Sequence, residues 1–109
     1  MDDAEKAENR ERTIHHLQIL EQNLQQTMLQ KQAFQMELGE TQAAIKEIEK
    51  SGDDVFKIIG QLMIKSEKKA VMSELANKEK LINLRIRALE KQEETFSEKI
   101  DSLQHEIME

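Results

Sequence analysis

A chain of 109 residues with a net charge of −6, 35% charged and only 38% hydrophobic residues, three Phe, no Tyr and no Trp has too few large side chains to fill a compact multilayer core. The absence of Cys rules out disulfide and thiolate chemistry and fits a reducing compartment. No apolar run approaches the ~20 residues of a membrane span, and the acidic start Met1-Asp2-Asp3-Ala4-Glu5 is the opposite of a signal peptide, so a cytoplasmic protein is expected.

High charge is compatible with disorder, and periodicity decides against it. The first predicted helix spans residues 8–50. With Leu17 set as heptad position a, Leu24, Leu38 and Ile45 also fall at a, and Leu20, Phe34 and Ile48 fall at d. This is the 3.5-residue repeat of a coiled coil. Lys31 interrupts it at a, and Thr27 and Thr41 occupy d. Lys46 and Lys50 stand in the last turns, and Ser51-Gly52 follows, with Gly52 suited to a left-handed C′ position. Gly39, inside the helix, costs ~1 kcal/mol relative to Ala and has no explanation in the sequence.

A β-hairpin is predicted over residues 53–65. β-branched and aromatic residues crowd there, the heptads lapse, and Gly60-Gln61 supplies a two-residue turn. That turn pairs Ile59 with Leu62, Ile58 with Met63 and Lys57 with Ile64. One face then carries Val55, Lys57, Ile59, Leu62 and Ile64, and the other Phe56, Ile58, Met63 and Lys65. A lone hairpin is marginal in water and its two edges are unpaired. Nothing else in the chain can cover both apolar faces, so Val55, Phe56, Ile58, Ile59, Gly60, Leu62, Met63 and Ile64 are the expected assembly residues, joining hairpins of other subunits in a closed β-barrel. The competing arrangement folds the hairpin down on its own helices, over Ile48 and Val71.

The second helix spans residues 67–108, with Ser66 as its expected N-cap. Leu75, Ile82, Leu89, Phe96 and Leu103 recur every seven residues, beside a second row of Met72, Ile86, Ile100 and Ile107 broken by Glu79 and Glu93. Those two glutamates read as register-setting or snorkelling residues rather than catalytic acids. Charge is segregated: residues 68–87 carry six Lys or Arg against two acids, and residues 90–109 carry seven acids against two Lys. Such a chain lacks the net basic face with stacking aromatics that nucleic acid requires. Two helices of matched length with a short connection pack antiparallel. The expected fold is therefore mainly α: a single domain over 1–109 in which one β-hairpin joins the two helices of a long antiparallel coiled coil.

The order of helix, hairpin with central Gly, and matching helix resembles the prefoldin β-subunit family. The stretch Val55-Phe56-Lys57 through Gly60 to Leu62-Met63-Ile64-Lys65 is similar to the family's barrel hairpin. Leu84-Arg85-Ile86-Arg87-Ala88-Leu89-Glu90-Lys91-Gln92-Glu93-Glu94 resembles its second-helix signature, and helix one has the family's Gln-rich character, with eight Gln from Gln18 to Gln42. Phe56 stands where Tyr is frequent and Gln61 where Asn is frequent. The resemblance implies an ATP-independent holdase subunit in a hetero-hexamer of two α-type and four β-type chains, whose coiled-coil ends hold unfolded polypeptides and deliver them to a group II chaperonin.

At the helix ends Ile14, Leu17, Leu20, Phe96, Ile100, Leu103, Ile107 and Met108 are the expected client-binding residues. They close the seam, and fraying exposes them. Glu98, Asp101, Glu106 and Glu109 are candidates for chaperonin docking, or simply solvated charge. His15 and His16 are adjacent and cannot chelate together, and with His105 they read as surface residues rather than a metal site. No phosphate-cradling glycine motif is present and no nucleophile–base pair can be assembled, so no cofactor and no enzyme activity is expected. The rival function is a structural or adaptor coiled coil without client holding. It fits the heptads equally well but gives no reason to interrupt the helices with a hairpin.

Overall fold

The computed structural model describes residues 2–108. In chain order it consists of helix α1 (Asp3–Lys50), strands β1 (Val55–Ile59) and β2 (Leu62–Ser66), and helix α2 (Lys68–Met108).

Helix α1 begins five residues before the expected start at Glu8. Asp2 acts as N-cap: its Oδ1 accepts the Glu5 amide at 2.8 Å, and its carbonyl accepts the Lys6 amide at 3.2 Å. Asp3 and Glu5 place negative charge on the positive end of the helix dipole. The far end also closes differently from expectation. Gly60 is the one residue with positive φ among the described residues, so Gly52 is not a left-handed cap. Ser51 folds back instead, its amide and hydroxyl both donating to the Ile48 carbonyl at 3.1 and 2.8 Å. Lys68, the first residue of α2, completes the cap by donating from Nζ to the Ser51 carbonyl (2.8 Å) and the Glu49 carbonyl (3.4 Å). The ammonium thereby satisfies orphan carbonyls and meets the negative end of the α1 dipole.

Ser66 is not the N-cap of α2. It pairs with Val55 as the last residue of β2, and the Glu67 carbonyl accepts the first helical bond, from Val71 at 3.1 Å. The hairpin has the expected antiparallel register, with Ile59 opposite Leu62, Ile58 opposite Met63 and Lys57 opposite Ile64. Gly60 has a φ of 60°, and Gln61 is not left-handed. Positive φ at the first central residue alone defines a type II′ turn, whose twist matches that of the strands.

The helical segments fall into two compact units, one built from the segments up to Gln32 and from Arg87 onward, the other from Ala33–Ile86. Within the first, Lys31 meets Glu93, while Thr13 and Ile107 line one cleft. Within the second, Glu37 meets Lys78 and Glu49 meets Lys68. Numbers rise on one helix as they fall on the other, so the segments pair antiparallel in each unit.

Within each unit the buried side chains are mostly apolar. Leu20, Ile82, Ile86, Leu89 and Ile100 are buried, and Leu17, Leu24, Phe34, Leu38, Ile45 and Ile48 are half-buried. The two threonines at d are among the most buried residues of α1. Thr27 and Thr41 each donate their hydroxyl to the carbonyl four residues back, Asn23 and Glu37, at 2.9 Å. With the polar atom satisfied locally, each presents a valine-like surface to the seam. Gly39 lies on the exposed side of α1, where an added Cβ would meet nothing, and the structure does not explain it.

Candidate functional site

Two surfaces carry the residues singled out by sequence. The first is the hairpin. Val55 at its root is buried, and Lys57 reaches Glu74 of α2, with Nζ 2.7 Å from Oε2 and 3.0 Å from Oε1. A second ion pair, Lys65 with Asp54 at 3.4 Å, spans the open end of the strands. The Lys57–Glu74 pair ties the base of the hairpin to α2. Phe56, Ile58, Ile59, Leu62, Met63 and Ile64 are all exposed. The register puts Phe56, Ile58 and Met63 on one face and Ile59, Leu62 and Ile64 on the other, so both faces present apolar area. Six exposed apolar side chains on one short ribbon make it a candidate interaction surface.

The second surface is the pair of helix ends. Met108 is exposed and Ile14 nearly half so, but Leu17, Phe96, Leu103 and Ile107 are half-buried, and Leu20 and Ile100 are buried in the closed seam. The expected contact residues are thus mostly occupied with one another. An open cleft of about 570 Å³ lies at this end, lined by Asp3, Lys6, Ala7, Asn9, Arg10, Thr13, Glu106 and Ile107. The earlier start of α1, which the Asp2 cap makes possible, supplies the Asp3, Lys6 and Ala7 wall. Ala7 thereby gives α1 an apolar group in the cleft that Ile107 lines.

Glu98, Asp101 and Glu106 are exposed, and none of them forms an ion pair among the described residues. Glu109 lies outside the described residues. His15, His16 and His105 are exposed. No helix among the described residues is long and apolar enough to cross a membrane.

Sequence reading missed how the two interruptions of the seam relate. Lys31 Nζ lies 2.7 Å from Glu93 Oε1, with only 22% and 19% of the two side chains exposed. The Glu93 carboxylate is the main cause that holds the Lys31 ammonium above its ordinary pKa of 10.5; burial opposes it, and the charges of Glu93 and Glu90 assist. Further along, the Arg85 guanidinium sits 5.5 Å from the centroid of the Phe34 ring, a cation–π approach that uses the aromatic face at the edge of the seam.

The sequence of this chain matches the family model described as prefoldin subunit over residues 11–109. The prefoldin subunit β of Methanothrix thermoacetophila is 38% identical over 96 residues, which cover 86% of this chain and 80% of the relative. That of Pyrococcus furiosus is likewise 38% identical over 96 residues, covering 86% and 82%. The chain belongs to the prefoldin β-subunit family. The crystal structure of the prefoldin β subunit from Thermococcus strain KS-1 superposes with a TM-score of 0.85 at 36% identity, covering 91% of this chain and 89% of the other. Prefoldin subunits are chaperone components rather than enzymes, and the family match runs through α1, the hairpin and α2 alike. Residues 1–10, including the Asp2 cap, precede the matched segment.

Proposed function

We propose that this chain is the β-type subunit of an ATP-independent holdase. Its hairpin joins those of α-type subunits and of other copies of itself in a β-barrel, within a hexamer of two α-type and four β-type chains. The whole of 1–109 then acts as one domain, in the cytoplasm. The coiled-coil ends hold unfolded polypeptides through Ile14, Leu17, Leu20, Phe96, Ile100, Leu103, Ile107 and Met108, and pass them to a group II chaperonin without nucleotide.

The observation that carries this reading is the hairpin, with six exposed large apolar side chains on its two faces. A two-stranded ribbon of this kind is not self-sufficient in water, and edge-to-edge pairing with other ribbons removes unpaired edges and apolar exposure together. Membership of the prefoldin family supports the choice of partners. The experiment is to mix the chain with an α-type subunit, establish the mass of the complex, and add a denatured, unrelated protein. Suppressed aggregation without nucleotide supports the holdase. An intact hexamer that leaves aggregation unchanged leaves only a scaffolding coiled coil, and a chain that stays monomeric with its partner overturns the assembly.

A further inference from the structure

The two charged side chains that meet across the seam, Lys31 and Glu93, interrupt a pattern that is otherwise apolar. One heptad to either side, the corresponding positions are Leu24 and Leu38 on α1, and Ile86 and Ile100 on α2. Thr13 and Ile107 line one cleft, so the two residues lie on the same stretch of the paired helices. The Thr27 hydroxyl donates to its own helix, to the Asn23 carbonyl. Glu93 Oε1 is buried, and the Lys31 ammonium at 2.7 Å is the group that compensates it.

We propose that Lys31 and Glu93 select the register in which the two helices pair. The apolar rows cannot do this alone. They repeat every seven residues, so a slide of one heptad sets leucine and isoleucine against leucine and isoleucine again. The charges break that degeneracy. A slide of one heptad in either direction moves Glu93 about 10 Å along α1 relative to Lys31. That parts the 2.7 Å contact as it stands, and an uncompensated buried charge is far more costly than a compensated one. Polar residues at core positions of coiled coils are best attested in this role, where they fix register at some expense of stability. The pair therefore acts through selection rather than strength: a well-packed apolar pair in its place would hold the helices together at least as firmly but in more than one alignment.

The chain has no Cys, so engineered cysteines report register without background. Thr13→Cys with Ile107→Cys reports the observed pairing, Thr13→Cys with Ile100→Cys a slide in one direction, and Leu20→Cys with Ile107→Cys a slide in the other. Each pair is placed in the full-length chain, alone and assembled with the α-type subunit, and intrachain disulfide yield is read after mild oxidation. In the unaltered seam only the first pair should close efficiently. With Lys31→Leu and Glu93→Leu together, helix content should be kept and Tm unchanged or higher, while the slid pairs gain several-fold at the expense of the first. Lys31→Glu alone should also raise the slid pairs, and adding Glu93→Lys should restore the first. If the Leu/Leu chain closes only the first pair, as fully as the unaltered seam does, the proposal fails and register belongs to the hairpin base and its Lys68 contacts. Failure of the charge exchange to restore pairing would overturn it as well.

Discussion

Ile58 in the hairpin and Ile100 near the end of α2 are the same side chain in opposite circumstances, 73% exposed in one place and 8% in the other. The difference lies in geometry. A helix presents one apolar stripe, and a second helix with a matching stripe covers it along its length. A ribbon of two strands presents two faces, and here the Lys57–Glu74 ion pair ties it to α2 at its root. The hairpin surface therefore stands open and needs a lasting cover, whereas most of the surface at the helix ends exists only when the seam parts. Met108, at 85% exposure, is the exception that is open from the start. In the proposed function assembly covers the first surface permanently and the second captures clients reversibly, because local opening costs least at the ends of helices.

The comparison breaks most completely at the hairpin. Replacing the cross-strand neighbours Ile59 and Leu62 by Asp puts charge where assembly would bury it, at a cost on the order of several kcal/mol. Sedimentation should then give helical species smaller than the complex, and a double variant that still sediments as the intact complex removes the hairpin from assembly. Next comes deletion of residues 1–16 together with 100–109, which leaves the hairpin and most heptads in place. Assembly should persist while suppression of client aggregation falls; equal protection by truncated and full-length complexes would locate capture elsewhere on the molecule.

A smaller effect is expected from the acidic end of α2. Neutralising Glu98, Asp101, Glu106 and Glu109 to Gln or Asn should slow association with a chaperonin, as raised salt should, without weakening apolar client holding. Exposed pairs contribute only ~0.2–1 kcal/mol each, but their summed field steers encounter and is screened beyond ~8 Å at physiological ionic strength. Docking rates insensitive to both salt and the four substitutions would reduce the acidic end to a solubility device. The smallest effect lies inside the seam. Because the Lys31 pKa is raised, the stability it contributes is fully present below the ordinary value of 10.5 and fades as pH rises through the higher folded-state value. The advantage of the native chain over Lys31→Gln in denaturant midpoint should therefore hold at about pH 9 and shrink toward pH 12. A constant difference across that range would show that proton linkage at Lys31 adds nothing.

Much of the architecture was legible because periodicity is local. Leu75 to Leu103 announces one helix face without reference to anything else in the chain, and Gly60-Gln61 fixes every cross-strand pair of the hairpin. What escaped was whatever depends on two distant segments at once. Lys31 and Glu93 each registered as a flaw in its own helix, and only their proximity shows that the flaws compensate. Lys68 looked like one more cation in a basic run, whereas it closes the end of the other helix. Local chemistry also misled at places where a second residue could do the same work: Ser51 caps where Gly52 was expected to, and Asp2 starts a helix that was expected to begin at Glu8. At the helix ends, residue type identified apolar candidates but could not separate Leu20, buried in the seam, from Met108, which stands clear of it.

The turn at Gly60 is a matter of handedness. At a φ of 60° the backbone follows a path natural to a D-amino acid, yet a Cβ added at this glycine would touch nothing within 4 Å. The site has room for a side chain but accepts only one chirality. An L-alanine there costs about 1–2 kcal/mol from backbone strain alone, and every other genetically encoded side chain inherits that penalty. Chemical synthesis escapes it. A D-alanine at position 60 would restrict the unfolded chain and keep the type II′ turn, stiffening the hairpin at its tip in a way that no codon can specify.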